Sequence, residues 1–149
     1  MLARNRIEVL HGVNLDQLGR RDPEHYGDLT LDRLEQRITT WARELGLETR
    51  FFQTNSEGEF VEHLHKIGDL ADGLVLNPGA WTHYSWAIRD ALEIAALPAV
   101  EVHLSDVQAR EEFRRTSVIS DLCVATFSGQ GADGYRAALE RLRNELEPQ

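Results

Sequence analysis

The sequence contains a single cysteine among its 149 residues, which excludes an intrachain disulfide and any cysteine-rich metal site. Cys123 lies in the apolar run 122–127 and is predicted to pack in the core. No apolar run approaches the roughly 20 residues that span a bilayer, and the first residues lack an apolar segment long enough for a secretory signal. We therefore expect a cytoplasmic protein that does not enter a membrane.

Basic residues are also scarce, with 16 Lys and Arg against 25 Asp and Glu and a formal net charge of −9. A nucleic-acid surface needs a basic face, so this class of partner is not expected. An anionic ligand would have to be attracted by local arginines and backbone N–H groups, because the overall field repels it. The six histidines show no metal-ligand spacing, and we predict no metal.

Short apolar runs alternate with amphipathic stretches along the whole chain, which favours one domain over residues 1–149. This alternation is typical of a parallel sheet with helices on both faces. The simplest fold that fits this alternation is a flavodoxin-like, doubly wound sheet of five parallel strands. The predicted strands are Ile7 to His11, Glu48 to Gln53, Gly73 to Asn77, Ala99 to His103 and Leu122 to Phe127. The predicted helices are Thr30 to Leu45, Glu57 to Ile67, Tyr84 to Ala95, Val107 to Arg115 and Ala132 to Leu146.

The connection from Gly12 to Leu29, after the first predicted strand, is unusually long. Doubly wound folds usually need about two to six residues there. It is rich in groups that do chemistry, including Asn14, Arg21 and Tyr26. We interpret it as a functional lid, with a merely solvated loop as the alternative.

Polar residues follow each predicted strand, and in a doubly wound sheet these strand ends converge at one edge. His103 ends a buried strand, and Ser105 or Asp106 follows as the predicted N-cap of a helix. Backbone N–H groups at helix starts attract anions, and a second start is predicted at Thr82 or His83. Together with Asn77 and Arg114 these groups predict an anion site; the alternative is that His103 is a structural histidine.

Acid and base groups are available at the same edge. Guanidinium groups stabilise an ionised phenol, so Tyr26, in the same loop as Arg20 and Arg21, is a candidate base. His103 is a candidate acid that Glu101 could orient, since the two share a strand face; a simple polar pair is the alternative. No phosphate-binding lysine motif is present, and the glycines of 129–134 lack the βαβ context of a dinucleotide site.

Several segments, taken in order, resemble type II 3-dehydroquinate dehydratase. The segments that carry the resemblance are HGVNLDQLGRRDPEHYG (11–27), QTNSEG (53–58), NPGAWTHYS (77–85) with RDA (89–91), and EVHLS (101–105) with AREEFR (109–114). The match continues to Gly134 and Tyr135. The resemblance implies a cofactor-free and metal-free loss of water from 3-dehydroquinate through an enolate, a step shared by aromatic amino-acid biosynthesis and quinate breakdown.

The resemblance also implies a role for each matching residue. Tyr26 would remove the proton next to the ketone, with Arg21 keeping it ionised and Asn14 stabilising the enolate. His103, oriented by Glu101, would protonate the departing hydroxyl. The substrate would be held by Asn77, the backbone of Leu104 and Ser105, His83, Arg114 and Asp90 of a neighbouring subunit. The family commonly forms trimers assembled into dodecamers, so a homo-oligomer is expected.

The chain departs from the family pattern at His11 and Val13, where the family usually has Asn and Pro, and at Asp106, where it usually has Asn. The first change is expected to leave the backbone under Asn14 less rigid. The second adds a carboxylate near an anion site unless it only caps a helix. A noncatalytic module that binds a small cyclic carboxylate stays open as the alternative, because fold does not imply function.

Overall fold

The computed structural model describes residues 4–148 and contains a five-stranded parallel sheet in the order β2-β1-β3-β4-β5. The strands are β1 (Arg6–His11), β2 (Glu48–Gln53), β3 (Gly73–Asn77), β4 (Ala99–His103) and β5 (Ala125–Ser128). The helices are α1 (Pro23–Tyr26), α2 (Leu31–Glu44), α3 (Glu57–Lys66), α4 (Trp86–Ala95) and α5 (Asp133–Leu146). Within the described range, no helix is both long and apolar enough to cross a membrane.

Two hydrophobic cores lie on opposite faces of the sheet. The first packs α2 and α5 against residues such as Val9 and Val75, and the second packs α3 and α4 against Leu10 and Leu76. Successive strand residues point to opposite faces, so strands buried on both sides must be apolar at consecutive positions. This explains the uninterrupted apolar runs and confirms the flavodoxin-like, doubly wound sheet.

Two of the predicted elements are wrong in their bounds or type. The fifth strand begins at Ala125 rather than Leu122, because residues Ser120–Leu122 form a 3-10 turn. The helix predicted over Val107 to Arg115 is two short 3-10 turns, Val107–Ala109 and Glu112–Arg115. No residue of 107–115 is buried, so this charged segment has no apolar face whose packing would favour an α-helix.

The helix start predicted at Thr82 or His83 is also displaced. Both residues belong to a 3-10 turn, Gly79–His83, and α4 begins at Trp86. The Ser85 side chain accepts a hydrogen bond from the backbone N–H of Ile88, which satisfies one of the free donors of the first turn. The donors of α4 therefore begin three to four residues after the predicted position, and the elements that directly follow β3 and β4 are 3-10 turns.

Two glycines lock the loop after β1 to the loop after β3. A Cβ atom at Gly12 would lie 2.2 Å from the Pro78 carbonyl oxygen. Gly79 has φ +67, and a Cβ there would lie 2.6 Å from the Val13 carbonyl oxygen. Only glycine permits both contacts, because any side chain would overlap the facing backbone. The backbone hydrogen bond from Gly12 to Asn77, 2.8 Å long, completes the junction.

Candidate active site

The candidate site lies at the carboxyl edge of the sheet, where the strand order reverses between β1 and β3. His11 and Asn77 are register partners at the ends of these strands, and His103 ends the adjacent strand β4. Ligands of open α/β sheets bind in the crevice at such a position. Eight of the predicted residues line one cavity here, namely Arg21, Tyr26, Asn77, His83, His103, Leu104, Ser105 and Arg114.

The Tyr26 hydroxyl lies between two guanidinium groups. Arg21 Nη2 donates to Tyr26 Oη at 2.7 Å, and Arg110 Nη1 donates to the same oxygen at 2.5 Å. The Arg21 guanidinium also stacks over the phenol ring, with 3.8 Å from Cζ to the centroid. Two charged donors therefore converge on one phenol oxygen. Arg20, expected as a neighbour of Tyr26, instead donates to Gln17.

His103 and Glu101 form a buried pair, with His103 Nε2 2.5 Å from Glu101 Oε2. Thr82 and Ser117 also donate to the Glu101 carboxylate. Burial by itself would raise the pKa of Glu101, but the hydrogen bonds from His103, Thr82 and Ser117 together outweigh it and hold this pKa below its usual value. An ionised Glu101 occupies Nε2 and leaves Nδ1 as the ring nitrogen that is free to act in the cavity.

Asn77 and Ser105 are buried polar residues in the cavity wall. Asn77 Oδ1 accepts from the Gly79 backbone N–H at 3.2 Å, and Asn77 Nδ2 donates to the Tyr135 hydroxyl at 3.1 Å. The amide nitrogen carries two hydrogens, so one remains for a ligand. Arg110 Nη1 donates to Ser105 Oγ at 3.3 Å, which joins this wall to the Tyr26 cluster.

His83 and Arg114 close the cavity on the side of the 3-10 turns. His83 Nδ1 lies 2.8 Å from the Thr116 carbonyl and therefore donates to it. Burial is the main cause that lowers the pKa of His83, so the ring is neutral and Nε2 is an acceptor. Arg114 is held by Glu111, with Nε donating to a carboxylate oxygen at 2.8 Å. The wall thus presents one neutral acceptor and one guanidinium.

Three predicted residues do not line this cavity in one chain, namely Glu101, which holds His103, and Asn14 and Asp90. Asn14 is exposed, adopts the left-handed conformation at φ 68, and is fixed by its backbone N–H donating to Asn55 Oδ1 at 2.8 Å. Asp90 is exposed on α4 and reaches no residue of the cavity. A role for Asp90 therefore requires a second copy of the chain.

The space between these side chains is small, about 30 Å³, which is the volume share of roughly one water molecule. A larger cavity of about 540 Å³ lies on the other side of Tyr26 and Arg110, bounded by α1, α2 and the start of α5. A six-membered ring with substituents cannot enter the smaller space as it stands. A further space of about 290 Å³ shares His83, His103 and Arg114 with the smaller one. We expect the segment 12–29, which carries Tyr26, to move when a ligand binds.

Comparison with known proteins identifies the family of the chain that has this geometry. The family model described as "Dehydroquinase class II" matches residues 5–143. The chain belongs to the class II dehydroquinase family. It is 51% identical over 138 residues to a 3-dehydroquinate dehydratase of Thermotoga neapolitana, covering 93% of this chain and 94% of that one. The corresponding protein of Syntrophotalea carbinolica is 50% identical over 143 residues, covering 95% and 97%.

A solved structure of a class II dehydroquinase shares the same architecture. The type II dehydroquinase from Propionibacterium acnes superposes with a TM-score of 0.90 at 43% identity, covering 97% of this chain and 99% of that one. The type II dehydroquinase from Butyrivibrio crossotus also superposes with a TM-score of 0.90, at 38% identity. These likenesses extend over almost the whole chain, so the family assignment includes every strand end of the site.

Two residues that depart from the class II dehydroquinase pattern, Asp106 and His11, make defined contacts in the structure. Asp106 is exposed, and its Oδ1 accepts from the backbone N–H of Gln108 at 3.1 Å. This carboxylate caps the turn Val107–Ala109 and does not line the cavity beside His103. His11 is fully buried, with Nε2 2.9 Å from the Tyr135 hydroxyl.

Arg110 is the functional side chain that sequence reasoning missed. It lies between the two turns of 107–115, with a side chain only 9% exposed, and reaches Tyr26 across 84 positions of sequence. Its spacing of four residues from Arg114 was the available signal, because such a pair shares one face of a helix. In the described part of the chain, no group of three or more His, Cys, Asp or Glu residues could hold a metal ion.

Proposed function

We infer that this chain removes water from 3-dehydroquinate and gives 3-dehydroshikimate. The family match and relatives bearing the name 3-dehydroquinate dehydratase support the reaction. The observation that carries the assignment to this site is the Tyr26 hydroxyl between two guanidinium groups, in the same cavity as His103. A stabilised phenolate and an imidazole are the base and acid that an elimination needs.

In the first step, the Tyr26 phenolate takes the proton from the carbon next to the ketone. The electron pair of that C–H bond moves into the carbonyl and forms an enolate. Arg21 and Arg110 stabilise the phenolate before the step, and the closed segment 12–29 keeps water from the enolate. We assign Asn14 to stabilisation of the enolate oxygen, which requires its exposed side chain to turn inward when substrate is bound.

In the second step, the enolate expels the hydroxyl group and His103 donates a proton to it, so that water leaves. Glu101 holds Nε2 of His103, which directs Nδ1 to the departing oxygen. Tyr26 ends the cycle protonated and His103 ends it neutral. Transfer of one proton from Tyr26 to His103, through water, restores both groups.

The remaining residues are assigned to substrate binding. We propose that Asn77 and the backbone N–H groups of Leu104 and Ser105 bind the substrate carboxylate. The neutral Nε2 of His83 accepts from a ring hydroxyl, and Arg114 donates to another. No metal or organic cofactor takes part in these steps.

We further propose that the enzyme is a cytoplasmic homo-oligomer built from trimers, as a dodecamer, in which Asp90 of one copy completes the site of the next. Helix α4 and the residue before its N-cap expose three large apolar side chains, Tyr84 at 59%, Trp86 at 65% and Ile94 at 68%. Exposed apolar patches of this kind mark interaction sites. Asp90 lies among them and would be carried into a neighbouring cavity by such a contact.

The test is an absorbance assay for the enone product with 3-dehydroquinate as substrate. We expect Tyr26→Phe to lower kcat by about 10²–10⁴-fold while the fold, checked by circular dichroism, is kept. Wild-type protein that binds 3-dehydroquinate without producing enone would support the noncatalytic alternative. Full turnover by Tyr26→Phe would refute the assignment of the base.

A further inference from the structure

A buried hydrogen-bonded chain behind the cavity links three residues from three elements. His11 ends β1, Asn77 ends β3 as its register partner, and Tyr135 lies in the first turn of α5. The Tyr135 hydroxyl is 3.1 Å from Asn77 Nδ2 and 2.9 Å from His11 Nε2. His11 and Tyr135 are fully buried, so no solvent competes for these bonds.

The direction of the hydrogen bonds follows from the donors available. Burial lowers the pKa of His11 to about 4, so its ring is neutral at physiological pH. Burial raises the pKa of the Tyr135 phenol above its usual range, so this residue keeps its proton. The Asn77 amide donates to Tyr135, and Tyr135 donates to His11 Nε2. This assignment leaves one buried group unpaired, the Nδ1–H of His11, whereas the opposite one would leave both His11 Nδ1 and the Tyr135 proton unpaired.

This direction fixes the amide of Asn77. Its oxygen already accepts from the Gly79 N–H at 3.2 Å, so a flip of the amide would place its NH₂ group against that N–H donor. One N–H is held by Tyr135, and the second is directed away from it. The hydrogen bond that Asn77 Oδ1 accepts from Gly79 draws electron density from the amide nitrogen, which strengthens its N–H donors.

Packing of α5 explains how Tyr135 reaches two strand ends. A Cβ atom at Gly134 would lie 3.2 Å from Val102 Cγ1 on β4. The missing side chain lets the first turn of α5 approach the sheet closely. Tyr135 then extends through the core to His11 and Asn77, on neighbouring strands of the sheet.

We propose that Tyr135 and His11 are positioning residues that hold the Asn77 amide with one N–H directed at the substrate carboxylate. This inference rests on the proposed function, because it assigns the support of one binding group of that site. The carboxylate is bound equally in the substrate and in the transition state. Loss of its positioning therefore raises KM and leaves kcat nearly unchanged.

The test measures kcat and KM for 3-dehydroquinate in four variants. Tyr135→Phe removes the bridging hydroxyl, and we expect KM to rise about tenfold with kcat within about twofold of wild type. His11→Leu removes the acceptor of the Tyr135 hydroxyl and should raise KM in the same way. His11→Gln places an amide oxygen near the position of Nε2 and should restore KM. His63→Leu is the matched control and should leave KM unchanged, because His63 is a partly buried histidine of α3 that stacks on Phe52 and does not line the cavity.

The two hypotheses fail in different ways. Wild-type protein without any turnover would overturn the proposed function itself. Wild-type turnover together with unchanged KM in both Tyr135→Phe and His11→Leu would overturn only the positioning role. An equal rise of KM in His11→Leu and His11→Gln would also overturn it, because the acceptor atom would then be irrelevant. If Tyr135→Phe does not fold, the comparison of KM between His11→Leu and His11→Gln tests the positioning role.

Discussion

Positive charge is crowded around one phenol in this molecule. Arg21, Arg110 and Arg114 all approach the cavity, and burial together with the charges of Arg110 and Arg114 lowers the pKa of Arg21. An anion at Tyr26 relieves this crowding, because it offsets the repulsion between the guanidinium groups. The arrangement therefore prepares the base before substrate arrives, at the cost of holding like charges close together.

Removal of Arg110 tests this arrangement. We expect Arg110→Met to lower kcat by about ten- to a hundredfold, because a charge-assisted bond to the phenolate is lost. In the double variant Tyr26→Phe/Arg110→Met, kcat should fall little further than in Tyr26→Phe alone, since both changes act on one group. The measurement is steady-state kinetics of the two single variants and the double variant.

Arg20→Met is the matched control, because Arg20 is in the same loop and bonds only to Gln17. Its kcat should stay near that of wild type. Losses that multiply in the double variant would show that Arg110 acts independently of Tyr26. This outcome would remove Arg110 from the activation of the base.

His11 makes the stability of the fold depend on pH. Its pKa is about 4 when folded and about 6.5 when unfolded, so the unfolded chain binds the additional proton. This contribution to stability is fully present above pH 6.5 and is lost as pH falls toward 4, by at most about 1.4 kcal/mol per pH unit. Denaturant unfolding at pH 7.5 and pH 5 should show a smaller drop for His11→Gln than for wild type.

An identical drop in the two proteins would contradict this origin of the pH dependence. The comparison between variants is needed because Asp and Glu residues also titrate toward pH 4 and shift both curves alike. His11→Gln serves here because it keeps an acceptor for Tyr135 and removes only the titrating ring.

Part of the site could be predicted from the sequence and the rest could not, for a physical reason. Tyr26 and Arg21 are five residues apart, so their contact follows from a short loop alone. Arg110 and Tyr135 meet their partners across 84 and 124 positions of sequence, through the path of the backbone between turns and the docking of α5. The spacing of Arg110 from Arg114 indicates at most a shared face, and it does not identify a partner that is distant in sequence.

At the scale of elements, the loops after β1 and β3 behave as one unit. Gly12 and Gly79 let the two backbones touch, so Asn77 and the start of segment 12–29 are held in one relative position. Strain in this junction would reach the substrate-binding amide and the lid together. The glycines of the HGVN and NPG segments are therefore structural requirements of the site.

Gly12→Ala should destabilise the protein by more than about 2 kcal/mol, because the new methyl group overlaps the Pro78 carbonyl and the backbone must shift. Gly68→Ala is the control, since a Cβ there meets nothing within 4 Å and φ is not positive. Thermal denaturation of both variants measures the difference. Equal melting temperatures would contradict the proposed junction.

The regular elements were largely predictable, and the failures share one cause. Strands β1, β3 and β4 follow from apolar runs that need burial on two faces, and the edge strand β2, which has no buried residue, was also predicted. Helices α2, α3 and α5 were placed within one residue at each end. The segment 107–115 has a charged, periodic sequence but contributes no buried residue. Local pattern favoured a helix there, and the absence of tertiary packing decided against it.

At the scale of the whole molecule, the site of a single chain lacks one of the residues predicted for it, Asp90. Asp90 is on an exposed helix face with Trp86 and Ile94, remote from its own cavity. A trimer could bring each Asp90 to the cavity of the next copy around a closed ring. The activity of a separated subunit would then be far below that of the assembly.

Mixed oligomers test this sharing of residues. Asp90→Ala and His103→Ala should each be nearly inactive alone, and co-assembly at equal amounts should restore about one quarter of the sites. Co-assembly of Tyr26→Phe with His103→Ala is the control and should restore none, because both groups come from one chain. No recovery in the first mixture, with assembly verified by size-exclusion chromatography, would refute the shared site.

The Tyr26 hydroxyl also connects two segments of the chain. It joins segment 12–29 to Arg110, outside that segment, so opening the entrance separates the phenol from one of its two guanidinium partners. Under the proposed mechanism, the base would therefore lose one of its two charged donors whenever the entrance opens to solvent. We expect reactivity and solvent access to exclude each other at this one oxygen atom.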